Sequence, residues 1–184
     1  MQLKHQTNPT IKMSKYLLWT GFFLIIIDQI SKKLTSIYLP LINSSNYLYP
    51  YGGIGIFRDF LGIEFSINHI TNFGAAWGIF SNYQYELMVL RILLIIGLII
   101  YLFKYNNESS WNIPLILIIS GALSNVLDYF LYGHVIDMFH VVLWGYDFPV
   151  FNLADAFIST GIGLLFLISL IKPLTNHDSS TYSH

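Results

Sequence analysis

Leu87–Phe103 reads LMVLRILLIIGLIIYLF, an apolar run interrupted by a single charge, Arg91. A soluble domain has nowhere to put such a run, and with its flanks it reaches the ~20 residues a helix needs to cross a bilayer. Three other stretches have the same character. Tyr16–Ile27, YLLWTGFFLIII, is too short by itself and must continue through DQISKKLTSIY. Ile113–Tyr132 carries Pro114 near its first helical position, where proline is tolerated. Phe151–Ile171 closes the set. The expectation is an all-α membrane protein forming one domain over 1–184, with spans at 14–36, 85–104, 113–132 and 151–171. Composition agrees, because only 10% of residues are charged, against roughly 25% in a soluble domain.

The remaining sequence sets the layout. Residues 1–15 are polar and basic, and no small-residue cleavage site follows the first apolar run, so an uncleaved first span is expected. Lys4, Lys12, Lys15, Lys104 and Lys172 then fall on the cytoplasmic side, with both termini. Lys32, Lys33, Arg58 and Arg91 fall outside or near the outer ends, and Arg91 is placed to snorkel to the interface. Segment 40–82 is polar and glycine-rich. Within it Ile63, Phe65 and Ile67 alternate with Glu64, Ser66 and Asn68, the period of a half-buried strand, so a small β-rich outer segment is expected. The tail 176–184 is polar and reads as disordered.

With this topology the carboxylates in apolar surroundings share one membrane level, near the outer leaflet. Asp28 lies toward the outer end of the first span, with Lys32 one turn on and able to pair with it. Gly121, Asn125, Asp128 and Tyr132 follow one face of the third span, and Asn152, Asp155 and Ser159 one face of the fourth. Asp137 lies in the outer connection 133–150. Polar faces on apolar helices turn toward each other or toward water, and intramembrane ionisable groups mark function. Two close carboxylates hold one proton between them. One can then activate water while the other polarises a carbonyl, which is aspartic peptidase chemistry.

Other readings remain open on the residues alone. Asp155 in a first helical turn suits the helix dipole without any catalytic role. His134, Asp137 and His140 include metal-ligand types. Intramembrane carboxylates also occur in proton-coupled transporters, and polar faces also simply hold helices together. Net charge of −1 gives no footprint for nucleic acid, and a chain without cysteine has no thiol nucleophile, disulfide or thiolate metal site.

Five blocks carry a resemblance: Asp28-Gln-Ile-Ser-Lys32, Asn72-Phe-Gly74-Ala75-Ala76, Gly121-Ala-Leu-Ser-Asn125-Val-Leu-Asp128, Gly133-His-Val-Ile-Asp137 and Phe151-Asn152-Leu-Ala154-Asp155. In this order the chain resembles the lipoprotein signal peptidases, the bacterial type II signal peptidases. The resemblance implies an aspartic endopeptidase of the bacterial cytoplasmic membrane, needing no cofactor or metal. Its partners would be membrane lipids and a prolipoprotein cleaved before a diacylglyceryl-modified cysteine, with sensitivity to a globomycin-type inhibitor. It implies that Asp137 and Asp155 are catalytic. It also implies that Asn72, Gly74, Asn125, Asn152, Asp28, Lys32 and Asp128 bind substrate or brace the site. Where the family usually has arginine after the third-span aspartate this chain has Tyr129, and Ser124 replaces a common glycine. If that arginine contacts substrate, Lys33 or Arg91 could stand in for it.

Overall fold

The computed structural model describes residues 15–42, 48–74 and 81–178, without side chains at 81 and 172–178. Lys4, Lys12, Ala75, Ala76 and the tail beyond 178 lie outside the described residues, as does the Lys172 side chain. In chain order come α1 (Lys15–Tyr38), β1 (Ile54–Phe60), β2 (Ile63–Asn72) and α2 (Gln84–Ile100, prolonged by a π turn to Tyr105). They are followed by α3 (Asn112–Tyr132), β3 (Val135–Leu143), β4 (Tyr146–Asp147) and α4 (Leu153–Asp178). Among the described residues three helical stretches, Gln84–Tyr105, Ser109–Tyr132 and Leu153–Ile171, are long and apolar enough to cross a membrane. The helix of α1 spans 24 residues, but Asp28, Gln29, Lys32 and Lys33 interrupt its apolar run.

The all-α expectation is corrected. A four-stranded antiparallel sheet, ordered β1-β2-β3-β4, joins the two long connections at one end of the bundle. The sheet is not confined to segment 40–82, because β3 and β4 come from the connection between α3 and α4. Asp137 therefore stands on a strand rather than in a loop, opposite Ile70 of β2. The alternation of β2 has a definite sense. Ser66 and Asn68 are buried, as is His69, while Ile63, Phe65 and Ile67 are half-exposed. The reason lies in the segment across them: Asn68 Nδ2 donates to the carbonyls of Pro50 and Tyr51 (2.8 and 3.3 Å), and Ser66 donates to Asn68 Oδ1 (2.7 Å). Backbone acceptors covered by a strand need donors, so the polar face goes inward.

Among the helices α3 is central. It packs against α1, α2 and α4, and most of its inward residues are buried. Close approach of α4 depends on missing side chains. A Cβ at Gly121 would strike the carbonyl of Ala154, and one at Gly161 would meet that of Pro114 at 2.6 Å. Small residues let apolar helices pack where lipid gives no hydrophobic drive to associate. Gly133, at φ 77°, ends α3 in the left-handed conformation and turns the chain into β3. The fourth helix starts at Leu153, two residues later than expected, because Phe151 bridges to Phe139 of β3 before the helix begins. It runs on to Asp178, so residues 176–178 of the expected disordered tail are helical.

Candidate active site

The sheet end of the bundle holds two pairs of aspartates. Asp28 of α1 and Asp128 of α3 flank Lys32, whose Nζ lies 2.7 Å from Asp28 Oδ2 and 2.6 Å from Asp128 Oδ2, with all three side chains 0% exposed. The carboxylates have further donors. Ser124 Oγ (2.7 Å) and the Ala154 N–H (2.9 Å) donate to Asp28, and Gln29 Nε2 (2.6 Å) donates to Asp128. Burying charges is tolerable only when they are paired and their remaining hydrogen-bonding capacity is met, and both conditions hold here. The triad ties α1 to α3, and through Ala154 to the start of α4.

The second pair, Asp137 of β3 and Asp155 in the first turn of α4, has no ion pair among the described residues. Its partners are amides. Asn72 Nδ2 donates to Asp137 Oδ2 (2.9 Å) and Asn152 Nδ2 to Asp137 Oδ1 (2.7 Å). Asn125 Nδ2 donates to Asp155 Oδ1 (2.8 Å), and the Asn152 N–H to Asp155 Oδ2 (3.2 Å). Each oxygen thus keeps capacity for a further donor, such as a water.

The direction of each asparagine is fixed by a group that can only donate. Asn125 Oδ1 accepts from the Lys32 ammonium (2.9 Å), Asn152 Oδ1 from the Asp155 N–H (2.9 Å), and Asn72 Oδ1 from the Gly74 N–H (2.9 Å). Reversing any of them would set oxygen against carboxylate and NH₂ against a donor. Local sequence explains two of these. Asn152 and Asp155 form a reciprocal cap, each side chain accepting the other's backbone N–H, which satisfies the open end of α4. Asn72 lies two residues past Ile70, the partner of Asp137, and therefore on the same face of the sheet.

Asp137, 2% exposed, has its pKa pushed up to about 7, chiefly by burial and next by the neighbouring charge of Asp155. The Asn72 and Asn152 bonds and the more distant Lys32 oppose that rise. A cavity of about 440 Å³ opens onto both aspartates. Asn72, Gly74, Asn125 and Arg91 line one part, and Phe148, Pro149, Val150, Phe151 and Ile158 supply an apolar wall. Cavities that hold small or extended ligands have this size and mixture.

Most residues singled out from sequence meet here: Asn72, Gly74, Asn125, Asn152, Asp137 and Asp155 around the cavity, and Asp28, Lys32 and Asp128 behind it. Tyr129 does not line the cavity, and its ring packs edge-on to Phe130. Lys33 lies apart too, in a groove with Ile26, Gln29 and Tyr132. Arg91 reaches the cavity, and its Nη2 donates to the Gly74 carbonyl (2.8 Å). The metal spacing does not converge. His140 Nε2 pairs with Asp147 (2.8 Å), the His134 ring lies against Phe73 and Tyr132, and Asp137 turns to its amides. Among the described residues no group of three His, Asp or Glu side chains could hold an ion. Two contributors went unassigned in the sequence, Gln29 and Ser124. The position of Gln29 beside Asp28 was the available signal.

Known proteins resemble this chain over most of its length. Residues 20–171 match the model of the family described as signal peptidase (SPase) II. A lipoprotein signal peptidase of Chlamydia felis is 38% identical over 165 residues, covering 87% of this chain and 94% of the relative. One from Chlamydia trachomatis serovar D is 37% identical over 160 residues, covering 85% and 91%. A bacterial membrane enzyme solved by the in meso method at 2.3 Å superposes with a TM-score of 0.73 at 27% identity, covering 88% of this chain and 90% of that one.

Proposed function

The chain belongs to the signal peptidase II family, and on that premise we propose that it is an aspartyl endopeptidase whose catalytic pair is Asp137 and Asp155. It is a bacterial membrane protease that removes signal peptides from prolipoproteins. The observation that carries the mechanism is a pair of carboxylates on one cavity, directed by three oriented amides and touched by no cation among the described residues. Near neutral pH such a pair keeps one proton. Asp137 holds it and donates toward the scissile carbonyl oxygen. Asp155, in a first helical turn where the dipole favours negative charge, takes a proton from the attacking water. The tetrahedral intermediate collapses as the C–N bond breaks, and the amine leaves with the proton collected at the pair. Asn72, Asn125 and Asn152 hold the carboxylates at the required spacing, and the triad of Asp28, Lys32 and Asp128 holds Asn125 and the start of α4.

The substrate is a prolipoprotein carrying a diacylglyceryl cysteine, cut on the amino side of that residue. A site beside the ends of membrane-crossing helices suits a peptide whose lipid stays in the bilayer, and the apolar wall from Phe148 to Ile158 suits signal-peptide side chains. The reading takes α1 as a fourth span, its polar residues turned inward, with both termini cytoplasmic and the site toward the outer leaflet. Surrounding lipids cover the exposed helix faces, and a globomycin-type inhibitor would compete for the cavity. The test is cleavage of lipidated and unlipidated precursor by purified enzyme and by its Asp137→Asn and Asp155→Asn variants. Lipid-dependent cleavage lost in both variants is expected, and substantial turnover by either folded variant would remove the dyad.

A further inference from the structure

The three asparagines that face the catalytic pair are not held equally. Asn152 is fixed by the cap of α4 and Asn125 by a wholly buried ammonium. Asn72 ends β2, and its side chain is set by one bond from the Gly74 N–H, two residues along (2.9 Å). That bond is only as rigid as the backbone of Gly74, which has no side chain with which to pack.

The opposite edge of Gly74 is tied down from another element. Its carbonyl accepts from Arg91 Nη2 at 2.8 Å. Arg91 lies two turns into α2, a helix in which Ile95 is the buried residue and most others are exposed. A guanidinium in that apolar helix is costly, and its hydrogen bond crosses to the Gly74 carbonyl instead of to a carboxylate. The result is a continuous relay from Arg91 to the Gly74 carbonyl, from the Gly74 N–H to Asn72 Oδ1, and from Asn72 Nδ2 to Asp137 Oδ2.

We propose that Arg91 is a positioning residue for Asp137, acting through the backbone of Gly74 and the amide of Asn72. This rests on Asp137 being catalytic. The role belongs to the hydrogen-bond geometry of the guanidinium, whose donor ends on the Gly74 carbonyl. Losing the tie frees the turn, and Asn72 no longer presents its amide to Asp137 in a fixed place.

A double-mutant cycle on cleavage of a lipidated precursor tests it. Arg91→Met is expected to lower kcat about tenfold or more with KM within about twofold, since a displacement of ~1 Å can cost up to about 10²-fold. In an Asn72→Ala background the same replacement should cost less than about twofold, because the relay is already broken. Arg91→Lys, which keeps a donor, should recover part of kcat. Equal losses in both backgrounds, a loss carried by KM, or an undiminished kcat would each overturn the proposal. If Asn72→Ala is too slow to assay, amide exchange at Gly74 replaces it: Arg91→Met should speed that exchange, and an unchanged rate overturns the relay. If Arg91→Met does not fold, Arg91→Gln takes its place, and failure of both to fold would make Arg91 an anchor of α2 instead. A fully active Asp137→Asn would remove the dyad itself, whereas additivity beside an inactive Asp137→Asn removes only the role of Arg91.

Discussion

Asp28 and Asp128 differ from Asp137 and Asp155 in one respect that decides what each pair can do. The two pairs are separated by a single side chain, Asn125, which accepts from Lys32 and donates to Asp155. The first pair holds an ammonium between its oxygens, has no exposed surface and is supplied with extra donors. The second pair has neutral amides and opens on a cavity. Neutralised carboxylates have no reason to exchange protons with a substrate. Carboxylates left with amides alone must share a proton, and a shared proton can be moved. Nearly the same residue types thus build a neutralised brace and an unneutralised pair that opens on a cavity, and the position of one lysine distinguishes them.

That contrast can be broken in four places. The largest effect is expected from Asp137→Asn or Asp155→Asn, with a loss in kcat on the order of 10³-fold or more and little change in unfolding temperature. The same exchange at Asp28, assayed alongside, should cost far less activity. Next comes Lys32→Met, which strands two buried carboxylates and should destabilise the protein by roughly 3–5 kcal/mol. Thermal unfolding in detergent reads this, and a loss below about 1 kcal/mol would make the brace dispensable.

A third effect follows from the raised value at Asp137. Its carboxyl titrates at about 7 in the folded chain against 3.8 ordinarily, so between those values the folded state binds the extra proton. Its contribution to stability must then fall as pH rises from about 4 to about 7 and level off above, the sign set by proton linkage. Asp137→Asn should flatten that part of the unfolding profile, and an unchanged slope would place the proton elsewhere. The smallest effect is expected at Tyr129→Arg. Because the ring packs on Phe130 away from the cavity, KM and kcat should stay within about twofold, in line with surface changes of ±0.5 kcal/mol. A large gain in affinity would show that this face does meet the substrate.

Much of this was legible in the sequence, for physical reasons. Apolar spans announce themselves because hydrocarbon tolerates little else, and the expected gathering of Asp28, Asp128, Asp137 and Asp155 matches the bonded cluster they form. Asp137 on a strand was not foreseen, although VIDMFHVVL around it is rich in β-branched residues. Its partner strand lies more than sixty residues earlier in the chain, and no local pattern encodes such a pairing. Which face of β2 turns inward was not legible, because alternation reveals that a strand has two faces, but not that a covering segment will demand the polar one. The link from Arg91 to Gly74 was hidden for a related reason, since an arginine near a helix end reads as an interface anchor until the acceptor beside it is known.

Asn152 does two jobs with one side chain: its oxygen closes the open end of α4, and its nitrogen reaches across to β3. The fold consequently has no separate latch for the helix and for the strand. Any breath that unwinds the first turn of α4, releasing the Ala156 N–H from the Asn152 carbonyl, also lets go of Asp137 and swings Asp155 out of register. Thermal inactivation would then begin as the untying of one knot, well before the bundle itself comes apart.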